Sequence, residues 1–475
     1  MDLNPKAKFD LGSEPPPAPE QVPFQVEYPR EPEAPLKRLP WAQYLFFVLI
    51  GFLIFDQIYE NLNQPKGQKL QAEASNFQVE MTMATRSMSG SQSGQKMFEA
   101  YLDTLVTKAK TDPETQKLRV ALRTEDKDKP FLADLQNLSK SKVEEDRAFA
   151  ELYSEKKLDK KQTEALLKKI KIDTLPERIA KVQALEKLGD KSIRSKEFPV
   201  GKFVPLISAA FLGCLLLPVG LGLWVYYSHS RGKGKLVPLM QPFSDAQPAH
   251  MDRLFFAASC VIGAFVGSSL ILGLLVQAVP SLAPLAVLTY VAVFGSTFAL
   301  LKFPIFGWRI TPEALGLKGI SGAKAAGWGF GAWAANIPVM LVVMGITAAI
   351  SQYLPNSTHP AAEQLLANPS PTTILKVLFM AAVLAPLWEE VLFRGFLFPA
   401  FSTLTKNPIY GALLSSVCFA AIHPQGLLGV IPLATIAMML CAVTYQTRSL
   451  IPGMIFHSVH NAVTLLLALS VGYAS

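Results

Sequence analysis

Acidic residues are nearly missing from the C-terminal half of this 475-residue chain: from Leu254 to Ser475 there are only Glu313, Glu363, Glu389 and Glu390. Charge is scarce overall, at 17% of residues against about a quarter in a soluble protein, while 50% are hydrophobic, which argues against a cytosolic enzyme. Cysteine is scarcer still. The four present, Cys214, Cys260, Cys418 and Cys441, fall inside apolar stretches, so neither a disulfide framework nor a zinc ribbon is written here. The charge that exists is concentrated between Glu60 and Glu197. The formal net charge of +8 lies mostly there and in short loops beside apolar runs, where it reads as topogenic and lipid-facing charge, with no nucleic-acid partner.

What is there divides the chain. Residues 1–40 hold many prolines among mixed charges and too few apolar residues for a core, which predicts a disordered tail. Trp41 to Tyr59 is long enough to span a bilayer and lacks the short apolar core and small-residue cleavage site of a signal peptide, so residues 41–59 read as a retained anchor. Residues 60–199 form a polar, mainly helical segment. Within it Thr174 and Glu177 make a capping box, Pro176 sits in the first turn, and Ile179, Val182, Leu185 and Leu188 recur at helical spacing before Gly189. The lysines around Lys156, Lys157, Lys160, Lys161, Lys168 and Lys169 offer a face for a protein partner, although a solvated helix surface is the favoured reading. Residues 200–253 carry a span and a basic loop, and 254–475 the remaining apolar runs.

Those runs cover Phe203 to Tyr227, Leu254 to Ala278, Leu282 to Leu301, Ala325 to Ile350, Thr373 to Pro399, Ile409 to Ile422, Leu427 to Gln446 and Leu450 to Val471, nine with the anchor. The expected fold is an all-α polytopic transmembrane helix bundle. Basic segments (Lys37 and Arg38; Arg231, Lys233 and Lys235; Arg309, Lys318 and Lys324; Lys406; Arg448) alternate with segments lacking Lys and Arg, which puts the N-terminus in the cytoplasm and residues 60–199 outside. Gly327, Gly329 and Gly331 begin an apolar span with no strand before them, so they read as close helix packing and not as a dinucleotide loop.

Chemistry concentrates between Thr373 and Leu469. Ala385-Pro-Leu-Trp-Glu-Glu-Val-Leu-Phe-Arg394 places two carboxylates and a guanidinium in one apolar span. Each central charge there costs about 2.5–3.5 kcal/mol against about 0.3–0.6 returned by each Leu, Ile, Phe or Val, so the bundle must compensate. Glu390 and Arg394 are four residues apart and share a helix face, which predicts an ion pair. Glu389, about 100° round the helix, must meet something on another helix. Phe419 and His423, then His457 and Asn461, are each four apart on later spans. A carboxylate, two imidazoles and an amide together could activate water and hold the oxyanion of a scissile carbonyl. Singly each has a bland structural use, as an interhelical hydrogen bond or an ion-pair lock; His460 and Asp56 are weighted toward such uses.

Glu-Glu-x-x-x-Arg, Phe-x-x-x-His and His-x-x-x-Asn, on three spans in that order, resemble the signature of the CPBP family, the CAAX-processing type II proteases and bacteriocin self-immunity proteins. Leu315-Gly-Leu-Lys-Gly is similar to a family lead-in. The resemblance covers roughly the last 220 residues and implies an intramembrane endopeptidase acting on membrane-associated protein or peptide substrates, in a multi-pass protein expected in a bacterial plasma membrane. It implies Glu389 and His457 as the groups that activate water, His423 and Asn461 as the oxyanion site, and Glu390, Arg394 and Phe419 as support, without a cofactor. The alternatives are a zinc enzyme with Glu389, His423 and His457 as ligands, for which no His-Glu-x-x-His helix is present, and a non-catalytic immunity or scaffold protein. A scaffold would need only the paired structural groups. A transporter would show a duplicated pattern of broken helices, which is not seen.

Overall fold

The computed structural model describes residues 36–63, 79–84, 112–125, 132–154, 158–233, 248–350 and 370–474, apart from positions 82, 319 and 424. Residues 1–35 of the expected tail, parts of the polar segment and the loop carrying Glu363 lie outside the described residues. Helix dominates, as expected; among the described residues there is no strand, only an antiparallel bridge between Ile305 and Trp308.

Among the described residues, α1, Pro40–Asn63, is followed by the short helices α2 (Pro113–Glu125), α3 (Leu132–Ser139), α4 (Glu144–Leu152), α5 (Lys160–Lys169), α6 (Leu175–Lys187) and α7 (Ile193–Glu197). Their apolar faces close on a core that includes Val120, Phe149, Ile179, Val182 and Phe198. α6 starts where the capping signal put it: Glu177 Oε2 accepts from the Thr174 N–H at 3.3 Å. The other Glu177 oxygen, Oε1, holds the buried Lys117 at 2.9 Å, with Asp146 at 3.0 Å from the same ammonium. Burial opposes the charge on Lys117, but the Glu177 and Asp146 bonds outweigh it and hold this lysine above its ordinary pKa. Lys160, Lys161, Lys168 and Lys169 are exposed, as a solvated face requires.

The membrane helices follow: α8 (Val204–Gly232), α9 (Pro248–Ala278), α10 (Val287–Lys302), α11 (Gly322–Ile350), then α12 (Pro371–Phe379), α13 (Ala385–Glu390) and α14 (Phe398–Thr405) in one interrupted helix, and α15 (Pro408–Ala421), α16 (Gly426–Thr447) and α17 (Ile451–Ala474). Helix occurs at all nine predicted runs. Among the described residues, six helices, α1, α8, α9, α11, α16 and α17, are long and apolar enough to cross a membrane; α10 and α15 are shorter apolar helices. The protein is a multi-pass integral membrane protein.

Close packing follows the small residues selectively. A Cβ on Gly329 would lie 2.7 Å from Ile455 of α17, whereas Gly327 and Gly331 have open space. Only the middle glycine of that run is therefore required by packing. Gly316, at φ +68°, lies under Arg448, and its carbonyl accepts from Ser449 Oγ at 2.7 Å and from Leu450 N at 3.1 Å. The Leu315-Gly-Leu lead-in thus braces the start of α17, the helix that carries His457 and Asn461.

Candidate active site

The site begins with a helix that prolines keep from being regular. Between α12 and α13 runs a π-turn, Met380–Leu384, and between α13 and α14 another, Val391–Leu397. The Ala385 N–H donates to the Met380 carbonyl and the Phe398 N–H to the Phe393 carbonyl, each five residues back. The next donors in that pattern would be Pro386 and Pro399, which have no N–H. The Ala381 carbonyl, left without its proline donor, instead accepts from Asn461 Nδ2 of α17 at 2.8 Å. Wide turns of this kind are rare and collect at functional sites.

α13 delivers Glu389 and Glu390 into the bundle side by side, and both are buried. Glu390 is fully enclosed, and its Oε1 accepts from Arg394 Nη1 at 3.0 Å and lies 2.9 Å from His457 Nδ1. The predicted Glu390–Arg394 pair is present despite the π-turn between the two residues. Arg394 also donates to the Ala437 carbonyl at 3.3 Å and lies with its Cζ 4.7 Å from the centroid of the Phe419 ring. Glu389, the partnerless carboxylate of the sequence, meets both imidazoles: its Oε2 is 3.6 Å from His457 Nε2 and 3.9 Å from His423 Nε2. Phe419 walls the group, 4.4 Å from the His423 ring and 5.6 Å from that of His457. Five of the seven predicted residues, Glu389, Glu390, Arg394, His423 and His457, are thus linked directly through charged contacts, with Phe419 packed against them. Asn461 holds the neighbouring π-turn, and His460 enters none of these contacts.

Partners fix the histidine tautomers. Glu390, ionised beside Arg394, can only accept, so His457 Nδ1 carries the proton and Nε2 presents a lone pair toward Glu389. The Phe419 carbonyl, 2.5 Å from His423 Nδ1, does the same for His423. His423 can therefore donate from Nε2 only when doubly protonated. Spacing alone did not announce the Glu390–His457 contact, because an i,i+4 pattern reports one helix and this contact joins two. Gly453 makes it fit: a Cβ there would lie 2.9 Å from Glu390 Oε2. Among the described residues no group of three or more His, Cys, Asp and Glu is arranged to hold a metal ion.

Residues 371–463 match the family model described as Rce1-like, type II CAAX prenyl endopeptidase Rce1-like. The match runs from the start of α12 into α17 and contains every predicted site residue, which bears out the resemblance to the CPBP family for this stretch. The Rce1-like domain supports an intramembrane endopeptidase of the CAAX type. No curated protein and no solved structure matches the chain.

Proposed function

We propose that the chain is an intramembrane endopeptidase that hydrolyses membrane-associated protein or peptide substrates with water activated by Glu389 and His457. One observation carries the reading: groups from separate helices direct two imidazole Nε2 atoms at one carboxylate oxygen, at 3.6 and 3.9 Å. Those separations exceed a direct hydrogen bond and suit a bridging water. Glu389 Oε2 takes a proton from that water while its oxygen bonds to the scissile carbonyl carbon and the carbonyl π pair moves onto oxygen. Stabilising that oxyanion is assigned to His423, in its imidazolium form, and to the second amide hydrogen of Asn461. As the C–N bond breaks, the proton taken by Glu389 reaches the departing nitrogen through His457, whose imidazolium form is stabilised by the Glu390 carboxylate behind it.

The zinc alternative draws on the same three groups, and a ligating histidine would also use a carboxylate partner such as Glu390. Residues 1–40, 41–59, 60–199, 200–253 and 254–475 are proposed as tail, anchor, extracytoplasmic helical segment, span with basic cytoplasmic loop, and protease region, with the N-terminus cytoplasmic in a bacterial plasma membrane. The exposed Lys160 to Lys169 face of α5 is the surface that a protein partner of the 60–199 segment would meet.

The test compares membrane peptides of cells carrying the wild-type chain with those carrying Glu389→Gln at equal abundance. Peptide ends present only with the wild type identify the substrates. Identical peptide inventories would remove the protease reading.

A further inference from the structure

α1 lies outside the matched domain, yet it is clamped to the helices around that domain. Asp252, fully buried in the first turns of α9, accepts from Arg38 Nε at 2.8 Å, from the Leu39 N–H at 2.7 Å and from Gln43 Nε2 at 2.6 Å. Arg253 donates to the carbonyls of Lys37 and Phe306 at 3.1 and 2.7 Å. Phe46 then packs on Phe255 of α9 and Phe401 of α14, with ring centroids 5.2 and 5.8 Å apart. The first half of α1 therefore has one register against the bundle.

Beside its second half is a cavity of about 220 Å³, bounded by α1, α9 and the helix that bears the glutamates. Its buried floor is apolar, formed by Ile262, Trp388 and Leu392, with Leu53 and Phe265 as walls and Asp56 exposed at the rim. Trp388 and Ile422, which also line it, immediately precede Glu389 and His423 in the chain, so the cavity lies against the same backbone segments that carry two of the proposed catalytic groups. It is smaller than the roughly 300–1,000 Å³ of sites for whole small molecules, a size that suits one side chain. Gln57 and Ser269 also line it, and two further polar features bear on what it would hold. The buried Trp388 Nε1–H has no acceptor, and the exposed Asp56 carboxylate has no partner among the described residues. The first fits a peptide carbonyl and the second a cation.

We infer that this cavity is a substrate subsite with α1 as one wall, taking a single large apolar side chain of the peptide substrate with a basic residue next to it. The inference rests on the protease reading. It assigns to the N-terminal anchor a part in selecting substrates, beyond holding the protein in the bilayer.

Purified full-length protein carrying Glu389→Gln, which binds without turnover, is mixed with two peptides of equal length. Each has benzoylphenylalanine at its centre, flanked by Lys in one and Glu in the other. After irradiation, mass spectrometry should map crosslinks of the Lys peptide to α1 between Phe52 and Gln57 and to α9 between Ile262 and Leu270, several-fold above the Glu peptide. Leu53→Trp, which fills the cavity, should remove those crosslinks, and the surface variant Asp56→Asn should abolish the Lys preference while leaving thermal melting unchanged. Crosslinks elsewhere, no crosslinks, or crosslinks indifferent to both variants would overturn the subsite. Cleavage by the wild-type chain separates the two claims. A peptide crosslinked in the cavity but never cut supports the subsite and counts against the protease, whereas a peptide cut but crosslinked elsewhere overturns the subsite alone.

Discussion

Replacing Glu390 by Gln removes the ionised acceptor that Arg394 and His457 share, and it leaves a guanidinium buried without its counter-charge. Breaking a buried pair from one side costs about 3–5 kcal/mol, so Glu390→Gln should lower the melting temperature sharply and reduce the amount of folded protein. Glu389→Gln keeps volume and loses only a base that faces two imidazoles across a gap. Its melting temperature should stay near that of the wild type while cleavage falls by at least about 100-fold. Equal loss of stability in both variants would mean that the two carboxylates are not divided between structure and chemistry. A second outcome at this scale concerns metal. Elemental analysis of purified, active protein should find substoichiometric zinc, and activity should survive dialysis against a strong chelator. Stoichiometric zinc, with activity lost on removal and restored on return, would decide for the metal reading.

At the scale of elements, the π-turn before α13 exists because Pro386 cannot donate, and it sets the rotation at which Glu389 faces α15 and α17. Pro386→Ala restores a donor and a good helix former, so stability should hold or rise, by up to about 3 kcal/mol from propensity alone. Reregistering Glu389 by even 1 Å should cost about 100-fold in activity. A variant that is both more stable and fully active would show that the wide turn has no functional part. The same element shows what the sequence could and could not convey. Glu389, His423 and His457 were legible as a site because charge in an apolar run is expensive and must find partners. Their partners' identities across helices were not, because spacing along one helix says nothing of the rotation of another. The Asn461–Ala381 bond depends on a carbonyl freed by a proline five residues later, a signal present in the sequence as Pro386 inside a helical run. The buried Asp252 and Arg253 clamp was likewise invisible, since both residues sit at a predicted segment boundary and the partners that tie them to α1 and to the loop at Phe306 lie more than 50 residues away.

For the whole molecule, the contacts collect the basic loops on one side of the bundle. Arg253 ties the Lys37 carbonyl to Phe306, and Gly316 of the same 303–321 loop lies against Arg448, so the segments bearing Arg38, Arg309, Lys318 and Arg448 are neighbours. Positive charge gathered on one face is the pattern that membrane insertion retains in the cytoplasm. The proposed orientation therefore has a direct test in intact cells, using a parent from which Cys214, Cys260, Cys418 and Cys441 have been removed and single cysteines placed at exposed positions. Lys233→Cys and Lys406→Cys should be shielded from an impermeant thiol reagent until the cells are opened. Lys168→Cys on α5 and Ser281→Cys between α9 and α10 should react at once. Because α1 and α9 run parallel, with Arg38 bound to Asp252 near the starts of both, the helical segment after α1 and the turn after α9 must report the same side. Labelling of Lys168→Cys with protection of Ser281→Cys would therefore contradict the helix arrangement itself, whereas labelling of Lys233→Cys and Lys406→Cys alone would keep the arrangement and invert it in the membrane.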